Sequence, residues 1–324
     1  MTNSLLDRAA RPLRRLHRGL RSVLVTPRIR PEILATPGGP QSTPDATAVV
    51  TCRAGAEAGL ARLDSRLCRA EDLESVSFRD WAARLGEPHR LHRKLWEFCY
   101  LCQALSERGM LQPGRRGLGF AVGQESLPAL FASLGCRIMA SDLAPDDDRA
   151  QGWARTGQWA DSLASLNQRG LCPADQFAAR VQFQPVDMNN IPADLCRGEF
   201  DFTWSSCSFE HCGSIALGSA FVERQMACLR PGGVAVHTTE FNLSSNQGTV
   251  FSGPTVIYRR ADIEQLVSRL IAEGHHVEPL NLDLGNHPLA HHVDERPYSS
   301  DRHVRLALYG YAVTSIGLII RKAG

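Results

Sequence analysis

The chain of 324 residues contains no run approaching the roughly 18 consecutive apolar residues that span a bilayer. Its best stretch, Val313–Ile320, is interrupted by Thr314, Ser315 and Gly317. A helical membrane span is thereby excluded. Strong charge of either sign is also missing: 36 Lys and Arg stand against 34 Asp and Glu, a formal net charge of +2. Nucleic-acid binders carry a concentrated basic stripe, so a nucleic-acid partner is not expected. No charged-then-apolar leader opens the sequence. The ten cysteines are scattered through core-like segments, and they are expected as reduced thiols of a cytoplasmic protein, not as a disulfide framework. The pair Cys99 and Cys102 has zinc spacing but lies on an apolar helix face with no second pair, so it reads as core. No internal repeat is visible.

What the chain does have is enough apolar content, 43% against 22% charged, for one large α/β core with appendages. The first thirty residues hold Arg8, Arg11, Arg14, Arg15, Arg18, Arg21, Arg28 and Arg30 against Asp7, interleaved with Leu6, Leu13, Leu16, Leu20 and Val23 at helical spacing. Such a basic amphipathic segment can lie on an anionic surface, here the inner membrane face, or dock on a partner; the alternative is a solvated extension. Residues 31–50, with Pro31, Pro37, Gly38, Gly39, Pro40 and Pro44, have linker composition. From Glu71 to Gly109 the pattern is helical, with Leu95, Phe98, Leu101, Cys102 and Leu105 on one face, and it stops at Pro113-Gly114. The expected organisation is a basic arm and linker over 1–50, a helical extension over 51–112 and a catalytic domain over 113–324.

Beyond Pro113, short apolar runs alternate with helical patterns, the form of βαβ units and a parallel sheet. Strands are predicted near 116–122, 136–141, 181–186, 200–206 and 233–239, and helices near 125–134, 148–169 and 218–229. A helix near 261–273 leads to strands near 276–281 and 313–321. The fold class is therefore α/β, a Rossmann-like doubly wound, mostly parallel sheet with an antiparallel C-terminal edge and a helical N-terminal extension.

Open α/β sheets bind ligands beyond the carboxyl ends of their strands, so the strand ends are the informative positions. The first runs into Gly119-Phe120-Ala121-Val122-Gly123-Gln124-Glu125, where Gly123 permits a sharp turn at the next helix start. The second ends at Asp142-Leu143, 19 residues after Gly123, where an acid can accept both hydroxyls of a ribose. The third leads into Asp187-Met188, an acid for an adenine amino group beside a soft side chain that can cover the ring. The fourth breaks into Ser205-Ser206-Cys207-Ser208-Phe209-Glu210-His211, and Leu229-Arg230-Pro231-Gly232-Gly233 feeds the fifth. Singly these are ordinary turns: Asp142 can cap a turn before Pro145, Glu210-His211 can be a surface pair, and His237 can be a core histidine.

Taken together, over about residues 90–322, the segments resemble class I S-adenosylmethionine-dependent methyltransferases, and the Ser-Phe-Glu-His stretch is similar to the fourth-strand exit of small-molecule and sugar methyltransferases. The resemblance implies S-adenosylmethionine as cofactor, with Asp142 on the ribose, Asp187 on the adenine, and Gly119, Ala121, Gly123, Glu125, Leu143, Met188 and Ser205 around it. The family's first loop opens with an acid where this chain has Gly119, and Glu125 is the candidate replacement. It further implies methyl transfer to a small molecule or glycan. The Asn-Pro-Pro-Tyr type of motif used on nitrogen is absent, which tilts the expected acceptor to oxygen. A hydroxyl acceptor needs a base, for which His211 or His237 is the candidate, with Glu210 or Glu240 as orienter. Segments 240–258 and 283–311 are placed to shape the acceptor pocket. The histidines of Asn286–Glu295 read as a solvated loop, and no metal site is assigned. Two alternatives stay open: a non-catalytic scaffold docked through its basic arm, and a nicotinamide-dependent oxidoreductase, which needs Gly-x-Gly-x-x-Gly where Gly117, Gly119 and Gly123 are one residue too widely spaced.

Overall fold

The computed structural model describes residues 27–35, 62–155, 158–160 and 163–324. Residues 1–26 and 36–61, most of the expected arm and linker, lie outside the described residues. In chain order, a helical turn α1 (Glu32–Ala35) precedes strand β1 (Ser65–Leu67), helices α2 (Ala70–Glu74) and α3 (Val76–Arg84), strand β2 (Leu91–His92) and helix α4 (Arg93–Glu107). The alternating part runs β3 (Arg116–Gly119), α5 (Leu127–Ser133), β4 (Arg137–Asp142), α6 (Asp148–Ala154), α7 (Ala174–Arg180), β5 (Val181–Pro185), β6 (Phe200–Ser206), α8 (Ile215–Arg224), β7 (Leu229–Asn242) and α9 (Arg260–Ala272). It closes with β8 (His276–Val277), β9 (Leu280–Asn281), β10 (Arg302–His303), β11 (Leu306–Leu308) and β12 (Tyr311–Arg321).

Ten strands form one sheet in the order β5-β4-β3-β6-β7-β12-β1-β9, with β8 and β11 also paired to β12. The first five run parallel, and β12 lies antiparallel to β7. This is a Rossmann-like α/β fold with an antiparallel C-terminal side. All seven positions of β6 are buried, as a parallel strand covered on both faces requires. From β3 the chain steps outward to β4 and β5, then returns to β6 on the other side. The switch in strand order therefore falls between β3 and β6, where a crevice opens at their carboxyl ends.

Two features depart from the sequence expectations. Residues 51–112 supply more than helix: β1 pairs with β12 through Arg66↔Gly317 and Leu67↔Ile316, because β12 leaves an edge that needs hydrogen bonds. Helix α4 shares one apolar cluster with the sheet, to which Leu95, Trp96 and Leu101 belong together with Phe202 and Trp204. The helix expected over 148–169 ends at Ala154. Beyond it Ala160 N–H donates to Asp142 (3.3 Å) and the Trp159 indole donates to the Leu143 carbonyl (3.0 Å), so contacts to the end of β4 override local helix preference. Parts of the expected arm and linker are also docked: Arg30 N–H donates to the Leu243 carbonyl (2.9 Å), and the Arg260 guanidinium donates to that of Leu34 (2.8 Å).

Candidate active site

The chain leaves β3 through two left-handed residues, Ala121 (φ 48°) and Gly123 (φ 53°). A Cβ on Gly123 would sit 2.3 Å from the Gln158 carbonyl oxygen, so no larger residue fits. Its amide donates to Asp142 Oδ2 at 2.9 Å, and Leu143 N–H donates to Oδ1 at 2.8 Å. With the bond from Ala160, these tie the first loop to the end of β4. Burial pushes the Asp142 carboxyl up to about 6, with the three amides pulling the other way. At the exit of β5, Asp187 accepts from Asn189 N–H (2.9 Å) and from the Arg149 guanidinium (2.8 Å), with Met188 buried beside it.

The exit of β6 brings ionisable groups into the interior. Cys207 is left-handed (φ 49°), its amide held by the Thr238 carbonyl at 3.0 Å and hydroxyl at 2.9 Å. Glu210 Oε2 accepts from the Thr239 hydroxyl (2.9 Å). His211 Nδ1 donates to the Pro254 carbonyl at 2.7 Å, which leaves Nε2 as the acceptor nitrogen, 3.8 Å from Glu210 Oε1. Trp153 packs edge-on against the His211 ring at 4.5 Å. Burial pushes His211 down to about 4 and Glu210 upward, so the imidazole is neutral at ordinary pH.

Helix α4 brings a charged turn to the same place. Arg93 pairs with Glu240 (2.6 Å) and Glu97 (3.2 Å), and Lys94 with Glu97 (3.2 Å). Glu97 also accepts from Ser206 and Ser315, and these cations and donors hold it below the usual carboxylate range against burial. Cys207, Arg93, Lys94 and Glu97 were not among the candidates legible in the sequence. The signal was present, since charges at i, i+1 and i+4 interrupt an otherwise apolar helix face.

Arg93 and Lys94 line, with the strand exits, one cavity of about 870 Å³. Ala121, Gly123, Glu125, Asp142, Leu143, Asp187, Met188, Glu210 and His211 all face it, with Glu240 and Cys207. Pro254 and Thr255 from the segment after β7, and Tyr298, His303, Leu306 and Leu308 from the 283–311 insert, close its other side. Three candidates are placed elsewhere. Gly119 pairs with Trp204 across the strands, and a Cβ there would lie 2.3 Å from the indole, so Trp204 fills the space beside it. Ser205 and His237 are fully buried and bond to each other (Oγ to Nδ1, 2.8 Å) between Phe209 and Phe221, away from the cavity. Burial drives His237 down to about 3. A proton acceptor sealed in the core cannot reach a substrate, so His237 is a core histidine.

The 286–295 histidines do not gather around a metal position: Asn286 and His287 amides donate to Glu71, and His287 faces Glu74 at 3.6 Å. His303 Nδ1 instead pairs with buried Asp294 at 2.6 Å. Cys99 and Cys102 lie in the core, and all nine described cysteines are free. Among the described residues, no helix is long and apolar enough to cross a membrane.

No family model matches the sequence, and no curated protein matches it. Solved structures do. The (4+2)-cyclase SpnF aligns over 74% of this chain and 90% of its own, at 17% identity and a TM-score of 0.43. Magnesium protoporphyrin IX methyltransferase from Synechocystis, with bound S-adenosylmethionine, aligns over 78% and 95%, at 13% identity and 0.40. The Burkholderia thailandensis 1,6-didemethyltoxoflavin-N1-methyltransferase, with its substrate and S-adenosylhomocysteine, aligns over 77% and 79%, at 16% identity and 0.40.

Proposed function

We propose that the chain is an S-adenosylmethionine-dependent methyltransferase that acts on a small-molecule or carbohydrate acceptor, at oxygen. The observation that carries this reading is that the exits of β4, β5 and β6 present Asp142, Asp187 and Glu210-His211 to one cavity, beside the open loop that follows β3. The donor set fits the cofactor. Backbone amides take both lone pairs of Asp142 Oδ2 and one of Oδ1, which leaves a lone pair on Oδ1 for a ribose hydroxyl. Glu125 Oε2 is buried with no partner, which suits an ammonium group and offsets the acid missing at Gly119.

Bound S-adenosylmethionine would supply an activated methyl whose sulfur leaves without needing a proton. The protein's part is orientation, exclusion of water and proton removal from the acceptor. His211 suits the last role: its Nδ1–H is committed to Pro254, its Nε2 lone pair is free, and its lowered pKa keeps it unprotonated. The 240–258 and 283–311 segments wall the acceptor side. Calorimetric titration with S-adenosylhomocysteine, and in parallel with NADH, tests the assignment. One-to-one binding of the first alone is expected. Binding of NADH in its place would reassign the site to hydride transfer.

A further inference from the structure

We propose that Cys207, Glu210 and Glu240 form a binding site for a divalent ion of the zinc or cobalt type in the cavity wall. One ligand atom from each of the three lies within 4.8 Å of the other two, and all three residues are buried. Glu210 is 0% and Glu240 4% exposed, yet Glu210 Oε1 and Glu240 Oε2 have no hydrogen-bond partner. A buried carboxylate oxygen left without a donor costs the fold its full desolvation penalty, and native structures rarely keep two side by side. Both residues line the cavity, so a ligand arriving there can satisfy both oxygens.

Charge favours a dication. Arg93 and Lys94 bring two positive charges to the cluster, against three carboxylates, Glu97, Glu210 and Glu240. Ionisation of the Cys207 thiol on binding would raise the excess to two negative charges, which one divalent ion neutralises; the thiol proton leaves to solvent. The sulfur decides which ion. A ligand set of one thiolate and two carboxylates suits borderline ions such as Zn²⁺ and Co²⁺, whereas Mg²⁺ and Ca²⁺ take oxygen alone.

The groups around the three ligands are already in the positions that orient metal ligands. Arg93 holds Glu240 Oε1 (2.6 Å) and approaches the Cys207 sulfur (3.5 Å), and Thr239 holds Glu210 Oε2 (2.9 Å). The free oxygens are thereby the ones left for an ion. Three protein ligands with an open side toward the cavity leave a coordination position for a small-molecule oxygen. This inference does not depend on methyl transfer, and the two can fail separately.

The test uses the full chain, dialysed against a chelator and titrated with Co²⁺, then Zn²⁺. One bound equivalent is expected, with a thiolate-to-cobalt absorption band that Zn²⁺ abolishes and Mg²⁺ never produces. Cys207→Ser should lose the band, and Glu210→Gln and Glu240→Gln should each weaken binding at least about tenfold. Because substitutions in a buried cluster can unfold the chain, Zn²⁺ protection of the Cys207 thiol from alkylation is measured on the wild type by peptide mass. Absence of a stoichiometric ion, or unchanged binding in folded Cys207→Ser and Glu210→Gln, overturns the site. S-adenosylhomocysteine titration of the same samples separates the readings: cofactor binding without metal binding refutes the metal site alone, and the converse refutes the methyltransferase reading alone.

Discussion

Asp142→Asn is the substitution whose effect the structure defines most closely. The carboxylate accepts from Gly123 and Ala160 on Oδ2 and from Leu143 on Oδ1, at 2.9, 3.3 and 2.8 Å. An asparagine amide must turn its NH₂ toward one of those N–H groups, so a donor meets a donor in either orientation. That should cost the fold about 1–3 kcal/mol. Binding should suffer separately, through loss of a charge-assisted bond to a ribose hydroxyl worth roughly 1.5–3 kcal/mol, or about 10- to 150-fold in affinity. Acidity provides an internal check. Because burial raises the folded-state pKa to about 6, only about a tenth of the wild-type carboxylate is ionised at pH 5. Affinity for S-adenosylhomocysteine should therefore fall roughly tenfold between pH 7.5 and 5 in the wild type and stay level in the variant. The stability effect has the opposite sign, since a raised carboxyl pKa favours the fold at low pH and loses that contribution as pH rises through about 6. Calorimetry at both pH values, with melting temperatures for each protein, reads all three quantities. A folded variant that binds within threefold of wild type at pH 7.5 would refute the ribose assignment.

Other perturbations have equally definite outcomes. His211→Ala should lower turnover by about 10² to 10⁴ while S-adenosylhomocysteine affinity moves only a few fold, and the wild-type rate should rise with pH through a limb near 4, where burial has placed the imidazole; a loss under threefold would make His211 structural. His237, His211 and His303 are all pushed down, to about 3, 4 and 4, mainly by burial. Depressed histidine pKa values stabilise the fold above the unfolded value near 6.5, and this is lost as pH falls toward them. His237 alone should cost about 2–3 kcal/mol by pH 4.5; urea midpoints at pH 7 and 4.5 measure it, and Asn at position 237 should flatten the difference. Gly119→Ala should destabilise by about 1–3 kcal/mol against the Trp204 ring, with partial recovery on adding Trp204→Leu. Deleting residues 1–45 should lower the melting temperature by a few degrees, because Ile29 and Leu34 pack on the core and the Arg260 guanidinium loses the Ile33 and Leu34 carbonyls; no change would mean the docked segment contributes nothing.

The alternating part of the chain was readable because parallel strands are continuous apolar runs and their ends are marked by glycine and acid. Asp142, Asp187, Glu210 and His211 share one cavity, since a strand exit fixes which cleft its next residues enter. His237 was misplaced because sequence position at a strand end does not reveal which face a side chain takes: it points into the helix layer beside Ser205, while Glu240, three residues on, reaches the cavity. Gly119 resembled a cofactor-loop glycine, but its partner is decided by strand register, and only pairing with β6 shows that Trp204 occupies its space. Arg93, Lys94, Glu97 and Cys207 were missed for the same reason, as nothing local ties a helix starting at residue 93 to a turn at residue 207. The short β1 strand was equally hidden, because its cause is the open edge of β12, some 250 residues later in the chain.

The most direct measurement is the electron density of crystals grown with S-adenosylhomocysteine. Expected are a ribose hydroxyl on Asp142, the adenine between Asp187 and Met188, the amino group at Glu125, and the sulfur directed toward the Glu210-His211 side of the cavity. A ligand bound with its ribose away from Asp142, or a cavity that stays free of ligand at saturating concentration, would contradict the cofactor assignment.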